Sequence, residues 1–170
     1  MKKSILLAVA VAMLTGCGFM KNGASAPATT TTTTTTTNSA LTSGQGAGTA
    51  LQALYAQYKA DGKYDYTNLQ NAMNTVSLLS NCQGLKENYK NTTYLKDFGK
   101  GMIATSLGLV NQNNVQTVTN SLVDMVKNNE NVQAATTQTQ NAANTTAGYL
   151  NTASQYAGSI SNLLSLFGNK

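Results

Sequence analysis

Asp61 and Asp65 flank Gly62, a spacing that invites a test for a calcium loop. Aligning Gly62 with the invariant glycine at position 6 of an EF-hand places Gln57, Lys59 and Asn68 at positions 1, 3 and 12. None of these is the carboxylate the loop needs, so the segment reads as a solvated turn. The other carboxylates are Glu87, Asp97, Asp124 and Glu130, and no pair stands out as the acid and base of glycoside hydrolysis. Histidine is absent. That excludes Ser-His-Asp and Cys-His catalysis in their usual forms and removes the commonest transition-metal ligand. Phe98-Gly99-Lys100-Gly101 lacks the Walker A spacing. Gly44, Gly46 and Gly48 follow no strand and are wrongly spaced for a dinucleotide fingerprint. The expectation is a protein that is not an enzyme and that has no cofactor and no metal.

Tyrosine is the remaining residue type with recognition chemistry. Tyr55, Tyr58, Tyr64, Tyr66, Tyr89 and Tyr94 lie within 40 residues of one another. Tyrosine stacks on sugars and anchors interfaces, and it also fills the rim of small cores. Tyr64 and Tyr66, beside the turn at Gly62, are expected to be exposed and available to a glycan or lipid ligand. Nucleic acid is an improbable partner, because the chain has no arginine for bidentate phosphate and base contacts.

The two cysteines play different parts. Cys17 closes the run Leu14-Thr15-Gly16-Cys17, preceded by Lys2, Lys3 and an uncharged, mostly apolar stretch from Ser4 to Leu14. A positive start, a short apolar segment and small residues before a cut site mark a signal peptide. The apolar run falls well short of the ~20 residues a spanning helix needs. Leu-Thr-Gly-Cys resembles the lipobox of bacterial lipoproteins. That resemblance implies diacylglycerol on the Cys17 thiol, cleavage between Gly16 and Cys17, and palmitate or a similar acyl chain holding the mature protein on a membrane. Gly18 follows where enterobacterial lipoproteins retained in the inner membrane carry Asp. The resemblance therefore implies the outer membrane of a Gram-negative cell. With Cys17 lipidated, Cys82 has no intramolecular disulfide partner, and it reads as a small buried residue on a helix face. Loss of residues 1–16 takes Lys2 and Lys3 with it and lowers the formal net charge from +5 to +3.

These positions need elements to hold them. Residues 17–48 carry nine consecutive threonines, Thr29–Thr37, the only proline, Pro27, and three closely spaced glycines. With so little apolar surface they are expected to form a disordered tether, roughly 30 Å in rms span for ~30 flexible residues. From residue 49 the apolar period is helical. Leu51, Leu54, Tyr55 and Tyr58 share a face, ended by Gly62. Leu69, Ala72, Met73, Val76, Leu79 and Cys82 share another, with Thr67 as N-cap and Gly84 as stop. Thr92 or Thr93 is expected to cap a third segment through Leu95, Phe98, Met102 and Ile103, broken or kinked at Gly99 and Gly101. Val115, Val118, Leu122, Met125 and Val126 form the clearest segment. Residues 131–169 carry no charge. Within them 132–147 are expected to be weakly helical and 148–167 a single amphipathic helix. The stripe through Tyr149, Tyr156 and Ile160 serves either core packing or a seam for self-association or a partner helix.

The expected fold is therefore all-α. Residues 1–16 are a removed signal peptide, 17–48 a lipidated Thr-rich tether, and 49–168 a small bundle of four to five helices. The expected role is that of a cell-envelope lipoprotein contacting another envelope protein or itself. A ligand-binding module built on the tyrosine-rich region is the alternative.

Overall fold

The structure, a computed structural model, describes residues 34–127 and 145–168. Six helices occur among them, and no strand: α1 (Thr34–Asp61), α2 (Leu69–Asn88), α3 (Thr92–Thr105), α4 (Val115–Lys127), α5 (Thr146–Gln155) and α6 (Ala157–Gly168). The chain is all-α, with more helices than the four or five expected. The signal peptide, Cys17 and residues 132–144 lie outside the described residues.

The largest departure from expectation is the start of α1. The helix begins at Thr34, not near residue 49, and its 28 residues span about 40 Å. The expected tether boundary at residue 48 is thus too late. Ala40, Ala47, Leu51 and Leu54 are all fully buried along α1. The glycines between them belong to the same packed face. A Cβ on Gly44 would collide with the carbonyl oxygen of Phe98, and one on Gly48 would meet the Thr105 hydroxyl and the Met102 backbone. From the other side, a Cβ on Gly101 would strike the Leu41 carbonyl oxygen and come within 2.7 Å of the Gln45 nitrogen. Here α1 and α3 meet backbone to backbone, as small residues permit. Thr105 Oγ1 donates across the contact to the Gln45 carbonyl at 2.7 Å.

For the same reason α3 is not broken at Gly99 and Gly101. It runs unbroken from Thr92 to Thr105, and its glycines mark close neighbours rather than weak backbone. Gly84 likewise does not stop α2, which continues to Asn88. The Tyr94 hydroxyl occupies the space a Cβ at Gly84 would need. Both expected threonine caps move to asparagine. Asn68 caps α2, its Oδ1 accepting from the Gln70 and Asn71 amides at 2.9 and 3.2 Å. Asn91 caps α3, accepting from the Tyr94 amide at 3.1 Å. Asparagine is the stronger N-cap of the two types. Thr67 instead donates its amide and hydroxyl to Asp65 at 2.9 and 2.6 Å, closing the turn before α2.

One core joins the helices. Leu78, Leu79, Cys82 and Leu85 of α2 meet Leu51 and Leu54 of α1, Phe98 and Met102 of α3, and Val118, Leu122 and Val126 of α4. Tyr156, Ile160, Leu163, Leu164 and Phe167 complete it. The single helix expected over 148–167 is two, separated at Tyr156, where φ is −102° and ψ is 5°. The end of α6 is tied back to α1, with the Tyr55 hydroxyl donating to the Phe167 carbonyl at 3.1 Å. The Tyr55 and Phe167 rings meet edge to face at 5.7 Å. Between α3 and α4, Leu107 (φ 51°) and Gly108 (φ 83°) take left-handed backbone, and Leu107 is 82% exposed.

Candidate lipid anchor and candidate interaction surfaces

The structure separates the residues expected to share a surface. Tyr156 and Ile160 are fully buried in the core. They are not an interaction surface, and the stripe through them packs against the earlier helices. Tyr149 is half-buried on α5. Tyr64 is also half-buried, with its hydroxyl and that of Thr75 2.6 Å apart. Tyr66 alone of the expected pair is exposed, at 41%.

Two further exposed residues join it. Leu69 and Met73 are each 41% exposed, although both were expected on the buried face of α2. The buried face is turned toward Asn71 and Thr75, which are 1% and 0% exposed, alongside Ala72, Val76 and Leu79. Polar residues thus occupy core-facing positions, and apolar ones are displaced outward. Asn71 Nδ2 is satisfied by the Asp65 carbonyl at 2.9 Å. Leu69 and Met73, at i and i+4, share an exposed face of α2, and Tyr66 precedes them in the turn before the helix, so the three make an apolar strip along the chain where α2 begins.

The described carboxylates form no cluster of three. Asp61, Glu87 and Asp124 are exposed and Asp65 half-buried, while Asp97 is buried and bonded to Lys100 at 3.0 Å. No group of three or more His, Cys, Asp or Glu able to hold a metal occurs among the described residues. Hydrogen bonds from the Thr67 hydroxyl and amide hold the Asp65 carboxyl below the ordinary carboxylate range.

Buried acids of the other kind are more telling. Cys82 is fully buried, and loss of solvent pushes its thiol far above the ordinary range. It is a core residue, as expected. Burial also raises the phenols of Tyr64, Tyr94 and Tyr156. In each case the folded chain resists ionisation that the unfolded chain allows. Stability from these groups is complete below the unfolded thiol and phenol values, near pH 8.5 and pH 10, and is lost as pH rises beyond them. The urea midpoint should therefore hold from pH 7 to 8 and fall progressively between pH 9 and 11. A midpoint unchanged at pH 11 would contradict this packing.

Tyr156 adds a sharper test. Its hydroxyl is buried without a hydrogen-bond partner. Such a group costs about 1–3 kcal/mol, so Tyr156→Phe should leave stability unchanged or raise it by about 1 kcal/mol in urea denaturation. A clear loss would mean that the hydroxyl is satisfied.

A groove of about 300 Å³ lies between α3 and α4. Half-buried Leu95, Ile103 and Val115 line it, with Lys96, Lys100 and Gln116 exposed along its edges. Nothing in residue spacing announced it, because the groove depends on how far α3 and α4 splay around Gly99. A shallower depression between α4 and α6 is lined by Asp124, Met125, Asn162 and Leu166. No helix among the described residues is long and apolar enough to cross a membrane.

The family model of the prokaryotic membrane lipoprotein lipid attachment site matches residues 1–17, ending on the cysteine of the Leu14-Thr15-Gly16-Cys17 run. The chain thus carries a bacterial lipoprotein lipobox and is a lipid-anchored protein of the cell envelope. No curated protein and no solved structure matches it.

Proposed function

We propose that this lipoprotein is a non-catalytic interaction protein, held on the outer membrane by acyl chains on Cys17 and presenting its helical bundle to another envelope protein. The observation that carries this reading is the strip of Tyr66, Leu69 and Met73, three large apolar side chains within eight residues of chain, the last two on one face of α2, each 41% exposed. Exposed apolar side chains grouped in this way mark interaction sites, and tyrosine is among the residues that anchor them. The strip begins five residues after α1 ends at Asp61. Lys59 and Lys63 are balanced nearby by Asp61 and Asp65, which favours an apolar contact with a protein over attraction to an anionic surface.

The tyrosine-based glycan reading is weakened by the same geometry. Tyr64 is half-buried with its hydroxyl held to Thr75, so of the two only Tyr66 is exposed.

The test is photocrosslinking in cells, using the full lipidated chain with a photoreactive residue at 66, 69 or 73 and, as control, at Ser154 on the exposed face of α5. A discrete product is expected from the first three positions and not from the control. A product of twice the chain mass would identify self-association, and any other mass a different envelope protein. Equal labelling at all four positions would refute the strip as an interface.

A further inference from the structure

The groove between α3 and α4 has features of a ligand site that the interaction strip does not explain. Its walls come from two helical faces. On α3, Leu95, Gly99 and Ile103 recur at i, i+4 and i+8, and on α4 Val115 and Thr119 stand at i and i+4. The helices touch at Gly99, where an added Cβ would come 2.9 Å from Val115 Cγ2. A larger residue there would push into the channel. Leu95, Ile103 and Val115 supply its half-buried aliphatic lining, and the exposed residues along it are Thr92, Lys96, Lys100, Gln112 and Gln116, with lysine the only charged type. No carboxylate and no aromatic ring lines the groove. Lys100 has Asp97 beside it, so that carboxylate is already committed. Lys96 has no carboxylate partner among the described residues.

Thr119 adds a polar group to the wall of the groove. It lines the groove and is 4% exposed, yet its hydroxyl makes no side-chain hydrogen bond among the described residues. The hydroxyl is not enclosed in the core, so it opens on the groove, where a ligand head group could take the place of water. Ligand pockets typically combine an apolar lining with a few placed polar groups, and this volume is at the small end of their range. It suits one aliphatic chain and is too small for a two-chain lipid.

We propose that this groove binds a single-chain aliphatic carboxylate. The tail lies along Leu95, Ile103 and Val115, and the head is met by Lys96 and the Thr119 hydroxyl. Aromatic stacking is not available there, which disfavours a sugar. This site stands apart from the interaction strip, so either reading can fail without the other.

The experiment uses the full lipidated chain in phosphatidylcholine vesicles, with a diazirine-bearing dodecanoic acid and the matching dodecanol as probes. After illumination, adducts are mapped by mass spectrometry. The acid is expected to label peptides from α3 and α4 at least ten-fold more than the alcohol does. Lys96→Glu, an exposed position, should reduce acid labelling about ten-fold while helicity by circular dichroism stays the same. Thr119→Val should reduce it with little change in shape. Equal labelling by acid and alcohol, adducts spread evenly over the chain, or insensitivity to Lys96→Glu would each overturn the proposal.

Discussion

Gly101→Leu is expected to cost about 3 kcal/mol or more, at the upper end of overpacking penalties, and to lower the melting temperature by roughly 10 °C. The cause is backbone contact. The space beside Gly101 is filled by the Leu41 carbonyl oxygen, the Gln45 nitrogen and the Gly44 carbonyl carbon, the last two at 2.7 and 2.9 Å from an added Cβ. Backbone atoms cannot swing aside as a side chain can. The whole of α1 would have to withdraw from α3, and the Thr105–Gln45 hydrogen bond would go with it. Gly44→Leu should behave similarly, since the Phe98 backbone stands in its way. The control is Gly158→Ala in α6, where nothing lies within 4 Å of the added atom. Alanine is the better helix former by up to about 1 kcal/mol, so that variant should melt at the same temperature or slightly higher. Equal tolerance of leucine at 101 and alanine at 158 would refute the close pairing of α1 with α3.

The contrast between these glycines shows where residue patterns inform and where they mislead. Val118, Leu122, Met125 and Val126 are read directly as a buried face of α4, because large apolar residues repeat at helical spacing and nothing interrupts them. Gly44, Gly46, Gly48, Gly99 and Gly101 look like breaks under the same rules, because propensity counts only what glycine costs an isolated helix. In the fold they are contact points with another helix, which for Gly44, Gly48 and Gly101 lies more than 50 residues away in sequence. A rule confined to local windows therefore ends α1 at its glycines and assigns residues 34–48 to the tether. The outward turn of Leu69 and Met73 has a related origin. The Asn71 amide nitrogen reaches the Asp65 carbonyl and the Thr75 hydroxyl reaches that of Tyr64, which offsets most of the cost of polar residues on the buried face, although Asn71 Oδ1 stays unpartnered. Apolar counting alone rotates α2 away from its true orientation. The groove was illegible because it is a gap between two helices, and a gap depends on their separation rather than on either sequence. The lipobox was fully legible. Its chemistry depends on adjacent residue types read by processing enzymes, with no long-range packing involved.

That difference sets the expectation for Cys17→Ser. The lipid is attached through a thiol, and a serine hydroxyl at the same position is a far weaker nucleophile at neutral pH. The variant should incorporate no palmitate, and the signal peptide should remain uncut, so that the product migrates as the longer precursor. The anchoring follows the number of buried methylenes, each contributing about 0.8 kcal/mol, with a second chain needed for stable retention. Removing the thiol removes every chain attached through it, so the acyl-dependent fraction of membrane association should fall to background rather than decline by degrees. The folded domain should be indifferent. Its core is built from residues between Ala40 and Phe167, and the cysteine inside that core is Cys82. Thermal melting of the helical region should therefore match the parent chain while palmitate incorporation is abolished. Persistent palmitate labelling in Cys17→Ser would move the acyl group to another residue. With Cys82 fully buried, no other cysteine offers an accessible thiol in the folded chain, so such a result would defeat the lipobox assignment itself.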